Sequence, residues 1–432
     1  MDPKATHFRW VLGFMVSILA FTAYMDRVNL SVAAPMIMTE FKLSKIQLGM
    51  LQTLFFVAYS AMQIPGGLLA EWFEPRVVIA GAVTWWSFFT ALTASCSSFT
   101  GLGIVRTLFG LGEGPLFPAF GTFFTRWFPT KEKGRATSLM LAGAYVGPVV
   151  GPSITVAIMT AVGWRPVFWV YGIVGILFAA VWYFLARVSP KDSRYVNQAE
   201  LAFIEEGVSK EEFKAKVAPW KRFLRSTQFW AIGIQYFIND YIKYVYLTWL
   251  PLYFLETQGF SLKAMGVAAS FPWIALTTLT IATGWSSDFM IKAGASKRQA
   301  RSYLAISGLL FSSSFLYLGA AATNPTLNVL WLTLSLGSLG LTSSASWSAA
   351  LDIGGEYGGS VVAWMNFWGN MGGVAAPITT AWVVTAFGWQ KGLLVTAASA
   401  VLGAAVWLMV KPDIPLVQNT RGSMSAEIAE VR

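Results

Sequence analysis

The 432-residue sequence has few charged residues, one cysteine and one histidine. Asp, Glu, Lys and Arg make up only 12% of the chain, about half the share usual in a soluble domain. The single cysteine, Cys96, excludes an internal disulfide and a cysteine-based metal cluster. The single histidine, His7, precedes the first apolar segment, so catalysis by a histidine inside such a segment is also excluded. We expect no metal and no cofactor.

Apolar residues are abundant by contrast. The chain is 55% hydrophobic, with 32 Phe, 20 Trp and 39 Gly. A helix needs about 20 apolar residues to cross a bilayer, and the apolar segments predict an all-α membrane protein with twelve crossings. The predicted crossings are Trp10–Leu30, Gln47–Ala70, Val77–Ser97, Gly101–Phe124, Ala136–Ala161, Pro166–Ala186, Gln228–Leu255, Ala264–Phe289, Ser302–Ala322, Leu327–Ala349, Gly358–Phe387 and Gly392–Val410.

The basic residues are distributed unequally between the two sides of the membrane. The N-terminus, the tail and the loops after even-numbered crossings hold 23 of the 31 Lys and Arg, whereas the opposite side holds five. The positive-inside rule therefore places both termini in the cytoplasm. The net charge of +10 is then a topology signal, and we expect no nucleic-acid partner. The first apolar stretch is too long for a signal-peptide core, so we expect it to be retained.

The two halves of the chain resemble each other. Crossing two ends with Gly67-x-x-x-Glu71 and crossing eight ends with Gly284-x-x-x-Asp288. The turn Gly163-Trp164 after crossing five is matched by Gly388-Trp389 after crossing eleven. We infer a duplicated six-helix bundle. The predicted parts are an N-terminal bundle (1–186), a cytoplasmic connector (187–226) with an amphipathic surface helix over 198–216, a C-terminal bundle (227–410) and a cytoplasmic tail (411–432).

Duplicated bundles are typical of transporters, because a site at their interface near the bilayer midplane can open to either side in turn. Glycines of crossing five, at Gly143, Gly147 and Gly151, would let helices approach and slide. Plain helix packing explains the same glycines. Cytoplasmic segments offer no phosphate-binding loop and no catalytic His or Cys, which disfavours an enzyme or a receptor.

Six ionisable residues fall inside the predicted crossings, where each costs about 3 kcal/mol or more and is a candidate functional group. Three are acids and three are bases, so the set is neutral when all are ionised. They are Asp26, Arg27, Arg106, Glu113, Asp240 and Lys243.

The spacing of these residues leaves alternatives open. Arg106 and Glu113 are two helical turns apart, about 10 Å along one face, and form either a proton-binding unit or a static pair. Asp26 and its neighbour Arg27 diverge by about 100°, and lie either in a central cavity or at the solvated end of crossing one. Lys243 either neutralises a nearby acid, three residues before it, or binds substrate.

Several motifs resemble the anion:cation symporter branch of the major facilitator superfamily. They are Tyr24-Met-Asp26-Arg27-Val-Asn29, Gln63-Ile-Pro65-Gly66-Gly67, Arg106-x-x-x-Gly110-x-x-Glu113-x-Pro115 and Leu247-Thr-Trp249-Leu-Pro251. The resemblance covers nearly the whole chain. It implies the major facilitator fold and proton-coupled symport of a sugar acid or another small organic anion by alternating access. The loop after crossing one, Thr39 to Ile46, is short, unlike that of the vesicular members, which favours a bacterial inner membrane. We also expect a monomer.

The resemblance also implies roles for individual residues. Asp26 and Glu113 would carry protons, Arg106 would control Glu113, and Arg27 would hold the substrate carboxylate. Further substrate contacts are implied for Tyr24, Tyr59, Ser346, Trp347 and Asn366, and gating for Gly67, Glu71, Arg76, Gly284 and Asp288.

This sequence departs from the family pattern in three places. Ala144 replaces a glutamine that contacts polyols, and Tyr145 adds an aromatic residue beside it. Lys243 is an additional cation, and the loop from Glu71 to Arg76 lacks the usual basic signature. These departures favour a less hydroxylated, aromatic or dicarboxylic acid at least as much as galactonate. An anion exchanger or a proton-driven exporter is the alternative, since Gly147-Pro148 and Gly151-Pro152 resemble an antiporter motif.

Overall fold

The structure of the chain, a computed structural model, describes residues 5–207 and 218–417. Over these two ranges the chain forms helices joined by short turns and contains no β-strand. The α-helices are α1 (Phe8–Phe41), α2 (Lys45–Trp72), α3 (Pro75–Thr93), α4 (Phe99–Glu113), α5 (Leu116–Trp127), α6 (Thr130–Val162), α7 (Trp164–Leu185), α8 (Gln198–Gly207), α9 (Trp220–Phe223), α10 (Thr227–Thr257), α11 (Leu262–Ala268), α12 (Phe271–Lys292), α13 (Leu304–Ala321), α14 (Pro325–Gly354) and α15 (Gly358–Trp407).

These helices supply the twelve predicted crossings in two bundles, α1–α7 and α10–α15. Eight helical runs of the described residues are long and apolar enough to span a membrane, and one of them, Pro325–Trp407, contains crossings ten, eleven and twelve. Crossing seven is the 31-residue α10. Crossing four is split into α4 and α5 at Gly114 and Pro115, because the proline ring and its missing N–H interrupt the helix.

The first crossing is longer than the sequence predicted. We expected it to end at Leu30, but α1 continues through Pro35 to Phe41. The loop that follows is reduced to residues 42–44, and Lys42 ends the helix in the left-handed conformation, with φ 54°. As a consequence Asp26 and Arg27 lie near the middle of α1, not near its end.

Two turns repeat the same backbone geometry in the two bundles. Gly163 has φ 88° and Gly388 has φ 82°, a region that only glycine enters easily. The tryptophan after each glycine donates its indole N–H to a glutamate of its own bundle. The hydrogen bond from Trp164 to Glu40 is 2.8 Å long, and the one from Trp389 to Glu256 is 2.7 Å long. The sequence similarity of these turns is therefore also a similarity of structure.

The two glutamates differ in their cationic partner. Glu40 is paired within its own bundle with Arg165, 2.6 Å away. The second bundle has Gln390 where the first has Arg165, and Glu256 instead pairs across the interface with Lys45 of α2, at 3.0 Å. An ion pair thus joins the bundles at the end that carries the 42–44 loop, which we call the first-loop end.

The first-loop end is closed by packing as well. Thr53 donates to the carbonyl oxygen of Val374 at 3.0 Å, and Ser153 donates to that of Gly266 at 3.3 Å. A Cβ at Gly49 would lie 2.8 Å from the carbonyl oxygen of Pro377, so only glycine permits this approach of α2 to α15. A small apolar cluster from both bundles lies beside these contacts: Ala34, Leu48, Trp249, Leu252 and Ala381.

The connector docks on the first bundle at the opposite end. Glu200 of α8 is fully buried and accepts hydrogen bonds from the Thr6 hydroxyl (2.5 Å) and from the backbone N–H of Phe8 (2.9 Å). Burial alone raises the pKa of this carboxyl, but the hydrogen bonds from Thr6, Arg9 and Phe8 outweigh it and hold the pKa below its usual value.

The structure describes the predicted connector helix, 198–216, only over α8, Gln198–Gly207. This part is anchored by a buried acid where we expected a surface helix. Positions 208–216 lie outside the described residues, as does the predicted tail beyond 417. The described part of the tail docks on the second bundle, because Asp413 accepts hydrogen bonds from the backbone N–H groups of Lys297 (2.9 Å) and Arg298 (3.1 Å).

Gly49→Leu is expected to force the bundles apart at the first-loop end. Its side chain would overlap Pro377 and Ala381, and overpacking of this kind costs roughly 1–3 kcal/mol. The reporter is Ala34→Cys in a Cys96→Ser background, because Ala34 has no exposed surface. Labelling of this thiol by a polar reagent should accelerate about tenfold or more.

Gly81→Leu is the matched control, since a Cβ at Gly81 meets nothing within 4 Å. It should leave the labelling rate unchanged. Equal labelling in the Gly49 and Gly81 variants would show that the close approach at Gly49 does not hold this end shut.

Candidate functional site

A buried ion pair lies at the centre of the first bundle. Arg27 of α1 reaches the same carboxylate oxygen of Glu113 through two nitrogens, Nε at 2.7 Å and Nη2 at 2.5 Å. The side chains are 2% and 0% exposed, which rejects the expectation that a solvated helix end surrounds Arg27. The second oxygen of Glu113 has no hydrogen-bond partner among the described residues.

Aromatic rings enclose the Arg27 guanidinium. Its central carbon lies 4.5 Å from the ring centre of Tyr59, 4.7 Å from that of Tyr24 and 5.4 Å from that of Phe55. Such cation–π contacts stabilise a desolvated guanidinium and leave its N–H donors in the plane available. Arg27 is therefore held in position by rings as well as by Glu113.

Glycines bring Glu113 to this position. A Cβ at Gly110 would lie 2.4 Å from the carbonyl oxygen of Phe55, and one at Gly114 would lie 2.5 Å from Cβ of Met62. Helix α4 therefore touches the backbone of α2 and ends at Glu113. This explains the glycine-rich sequence before Pro115.

Asp26 is buried without a cationic partner. It accepts a hydrogen bond from the indole N–H of Trp86 (3.1 Å) and one from the side-chain amide of Asn29 (3.3 Å). It has no exposed surface. In the described part of the chain no base lies within ion-pair distance of its carboxyl group. Asp26 and Arg27 thus diverge as the sequence predicted, and both are buried.

Arg106 does not pair with Glu113, contrary to one of the two interpretations of their spacing. It donates through Nη2 to the side-chain oxygen of Gln52 at 3.1 Å. Its guanidinium lies between the rings of Phe109 (4.6 Å) and Phe55 (4.9 Å). The bend in crossing four directs Glu113 toward α1, so Arg106 acts on Glu113 through space and not through a hydrogen bond.

The second bundle contributes a second ion pair. Lys243 of α10 pairs with Asp240, one helical turn earlier, and its ammonium lies 5.3 Å from the ring centre of Tyr236. Tyr236 accepts a hydrogen bond from the indole N–H of Trp347 at 2.9 Å. A Cβ at Gly369 would lie 2.7 Å from both Asp240 and Tyr236, so glycine makes room for this acid.

The two ion pairs belong to one interbundle region. Phe56 of α2 and Tyr244 of α10 are in contact, with ring centres 4.3 Å apart. Tyr24 interacts electrostatically with both Arg27 and Lys243, and Tyr145 interacts with Asp240. Five of the predicted substrate contacts, Tyr24, Arg27, Tyr59, Tyr145 and Lys243, are therefore brought together, and Trp347 borders them through Tyr236.

Two predicted substrate contacts are less directly connected to this group. Ser346 is fully buried, and its hydroxyl donates to Gln235 (3.2 Å) and to the carbonyl oxygen of Thr342 (2.7 Å), inside the second bundle. Asn366 is half-buried on α15 and has no hydrogen bond with a described residue.

The predicted gating residues all lie at the end opposite the first loop. Gly67 faces Pro118, and Gly284 faces Ser344, each within its own bundle. The other three are exposed or bonded within their own bundle. Glu71 is exposed, Arg76 donates to the carbonyl oxygen of Tyr183 at 2.9 Å, and Asp288 lies 3.5 Å from Arg301. Over the described residues, none of these five residues forms a contact between the bundles.

Several residues of the site were missed by the sequence analysis. Gln52 is hydrogen-bonded to Arg106, and Trp86 is hydrogen-bonded to Asp26. A single polar residue within an apolar crossing is only a weak indication of a functional site. Tyr236 and Tyr244 had a stronger one, since they are spaced four residues before and after Asp240 and therefore share its helix face.

The charge pair makes a sharp prediction for stability. Glu113→Gln should destabilise the protein by about 3–5 kcal/mol, because it leaves a buried guanidinium without a counter-charge. Arg27→Gln should cost less, because Glu113 can then take up a proton whereas an arginine cannot lose one. The double variant should lose less unfolding free energy than the sum of the two single variants. The measurement is denaturant unfolding in detergent.

Glu40→Gln is the control, because its pair with Arg165 is 41% and 37% exposed and should contribute at most about 1 kcal/mol. If the losses of unfolding free energy in Arg27→Gln and Glu113→Gln were additive in the double variant, the two residues would not be energetically coupled.

Comparisons with known proteins agree on the family. The model of the Major Facilitator Superfamily matches residues 16–377. The chain is 31% identical over 401 residues to the "Ascorbate transporter, chloroplastic" of Arabidopsis thaliana, covering 92% of this chain and 74% of the relative. It is 33% identical over 405 residues to the "Probable sulfoacetate transporter SauU" of Cupriavidus necator, covering 93% of each chain.

A solved structure shares the fold. The inward-facing, unoccupied crystal structure of a bacterial homologue of the human lysosomal transporter Spinster superposes with a TM-score of 0.81 at 16% identity. The match covers 97% of this chain and all of that one.

Proposed function

The chain belongs to the Major Facilitator Superfamily, and we propose that it carries a small organic anion across a membrane together with protons. It is a multi-pass transporter of anions and not an enzyme. The names of two relatives, for ascorbate and for sulfoacetate, support an organic acid as the substrate. Coupling to protons is inferred from the geometry of the site.

The proposal rests on one observation. Glu113 neutralises Arg27 by a direct ion pair, and aromatic rings surround the guanidinium. When Glu113 binds a proton, its charge is lost and Arg27 keeps an unneutralised guanidinium. An organic carboxylate then takes the place of Glu113 on Arg27, since the planar fork of donors suits a carboxylate. Proton binding therefore raises anion affinity, and anion binding raises proton affinity by the same factor.

Asp26 is the second proton carrier in this proposal. Its partners, Trp86 and Asn29, are neutral donors, so a change in its charge breaks no ion pair. Arg106 interacts electrostatically with both Asp26 and Glu113 and so biases the two acids together. Its bond to Gln52 keeps it from replacing Arg27 as the partner of Glu113.

The walls of the pocket would contact the organic part of the substrate. Tyr24 and Tyr59 supply rings and hydroxyl groups near Arg27. Tyr145 adds another beside Tyr24 and Asp240, and Trp347 continues this wall on the second bundle. Asn366 has spare hydrogen-bonding capacity and would bind a substrate hydroxyl. Ser346 would act indirectly, by holding Gln235 in the second bundle.

Alternating access follows from the contacts between the bundles. We propose that 1–186 and 227–410 rock against each other about the central site, with 187–226 as the connector. The first-loop end is shut by Lys45 and Glu256, whereas Glu71, Arg76 and Asp288 would close the other end in the opposite state. By the positive-inside rule the second end is cytoplasmic. We further propose a monomer in a bacterial inner membrane.

Exchange of anions without protons is the competing function. It was suggested by the Gly-Pro repeat of α6, yet these glycines are required for packing. A Cβ at Gly147 would lie 2.8 Å from Cβ of Tyr24, and one at Gly151 would lie 3.1 Å from Sδ of Met25. The repeat therefore supports close contact of α6 with α1 and does not itself favour exchange.

Glu113→Gln is expected to abolish proton-driven accumulation while leaving counterflow, because the amide cannot cycle a proton. The measurement is uptake of labelled sulfoacetate and ascorbate into proteoliposomes with an inward proton gradient. Accumulation should fall at least about tenfold, the usual scale of site–site coupling.

Glu40→Gln changes an exposed acid of the same bundle whose ion pair lies within that bundle. It serves as the control and should accumulate like the wild type. If wild-type uptake does not depend on the proton gradient, anion exchange without protons is favoured. Unchanged accumulation by Glu113→Gln would remove Glu113 from coupling.

A further inference from the structure

The interbundle region holds one cation from each bundle. Arg27 comes from α1 and Lys243 from α10, and each is paired with an acid of its own bundle, Glu113 or Asp240. Tyr24 lies against the guanidinium of Arg27 and interacts electrostatically with Lys243. One cation from each bundle therefore acts on the same tyrosine, beside the ring contact of Phe56 with Tyr244 that joins the bundles.

Lys243 is more accessible than Arg27. The side chains of Lys243 and Asp240 are each 12% exposed, compared with 2% for Arg27 and 0% for Glu113. Partial exposure lowers the desolvation cost of this ion pair and leaves its ammonium accessible to a small ligand.

Lys243 has hydrogen-bond donors that Asp240 does not use, and Asp240 is held in position by its neighbours. An ammonium carries three N–H donors, and Asp240 is the acceptor that the described residues provide for Lys243. Asp240 itself is held against Gly369 and receives the side-chain amide of Asn239 at 3.4 Å. Lys243 can therefore bind a second anion while Asp240 stays in place.

We propose that Lys243 forms a second anion subsite facing Arg27, and that the substrate is a short organic dianion whose two acidic groups bridge the bundles. This rests on the proposed function, since it assigns the substrate class of the same site. A monoanion would contact one cation and one bundle. A dianion contacts both cations, so its binding also draws the bundles together around it.

The test compares anions that differ by one charge. Binding of succinate against succinamate, glucarate against gluconate, and sulfoacetate against sulfoacetamide is measured on the full chain in detergent by calorimetry. The wild type should bind the dianion of at least one pair about tenfold more tightly, the scale expected of a charge pair shielded from water.

Lys243→Gln should remove this preference and leave monoanion affinity within about twofold, while Lys243→Arg should keep it. Because Lys243→Gln leaves Asp240 without its partner, the double variant Asp240→Asn/Lys243→Gln guards against misfolding and should behave in the same way. Asp240→Asn alone should retain the dianion preference, since it frees Lys243. A purely structural ion pair would predict equal losses for both kinds of anion.

The outcomes separate this inference from the proposed function. Equal binding within every pair, loss of both affinities in Lys243→Gln, or failure of all three dianions to bind the wild type would overturn the dianion subsite. Equal proton-driven uptake of the dianion and the monoanion of every pair, unaffected by Lys243→Gln, would overturn it while leaving proton coupling intact. A dianion preference without any response to a proton gradient would support the subsite and contradict the coupling.

Discussion

The structure depends on the cost of burying charge. Arg27 cannot lose its proton in a protein, so any buried position for it requires a counter-charge, and Glu113 provides one at 2.5 Å. A guanidinium left unpaired there would cost several kcal/mol. The pocket therefore needs one anion at Arg27 at all times, either the glutamate or a substrate. This requirement is what joins proton binding to substrate binding in our account.

Glycines position the helices that carry this pair, and the duplicated turns lie where the two bundles meet. Gly110 and Gly114 bring α4 onto α2, whereas Gly143 and Gly147 bring α6 onto α1 beside Tyr24. At the first-loop end, duplication has produced two tryptophan–glutamate pairs. The glutamate of the second pair, Glu256, forms its ion pair with Lys45 of the other bundle. One sequence difference between the halves, Arg165 against Gln390, thus converts an internal contact into one between bundles.

Much of the fold could be predicted from the sequence, since apolar segment lengths and the positions of basic residues follow directly from the thickness and polarity of a membrane. The six intramembrane charges were also found in this way. Their partners were not, because Arg106 and Glu113 share a helix face only if the helix is straight. The break at Gly114 and Pro115 turns Glu113 toward Arg27, a result that depends on how α4 packs on α2.

Two other predictions were also wrong. The end of α1 was placed too early, although residues 31–38 are still mostly apolar and Pro35 does not end the helix. The burial of Glu200 depends on contacts almost 200 residues away in sequence, with Phe8 and Arg9, which no local pattern reveals. By contrast, the spacing of Asp240 and Lys243 was short enough for their pairing to be anticipated.

Proton uptake on anion binding is the most direct measurement of the central claim. Purified protein in weakly buffered detergent solution is mixed with saturating sulfoacetate or ascorbate, and the pH change is recorded with an indicator dye. Our account predicts uptake of about one proton or more for each anion bound, by reciprocal linkage, and a smaller uptake in Glu113→Gln. Anion binding that leaves the pH unchanged, or equal uptake in wild type and variant, would contradict it.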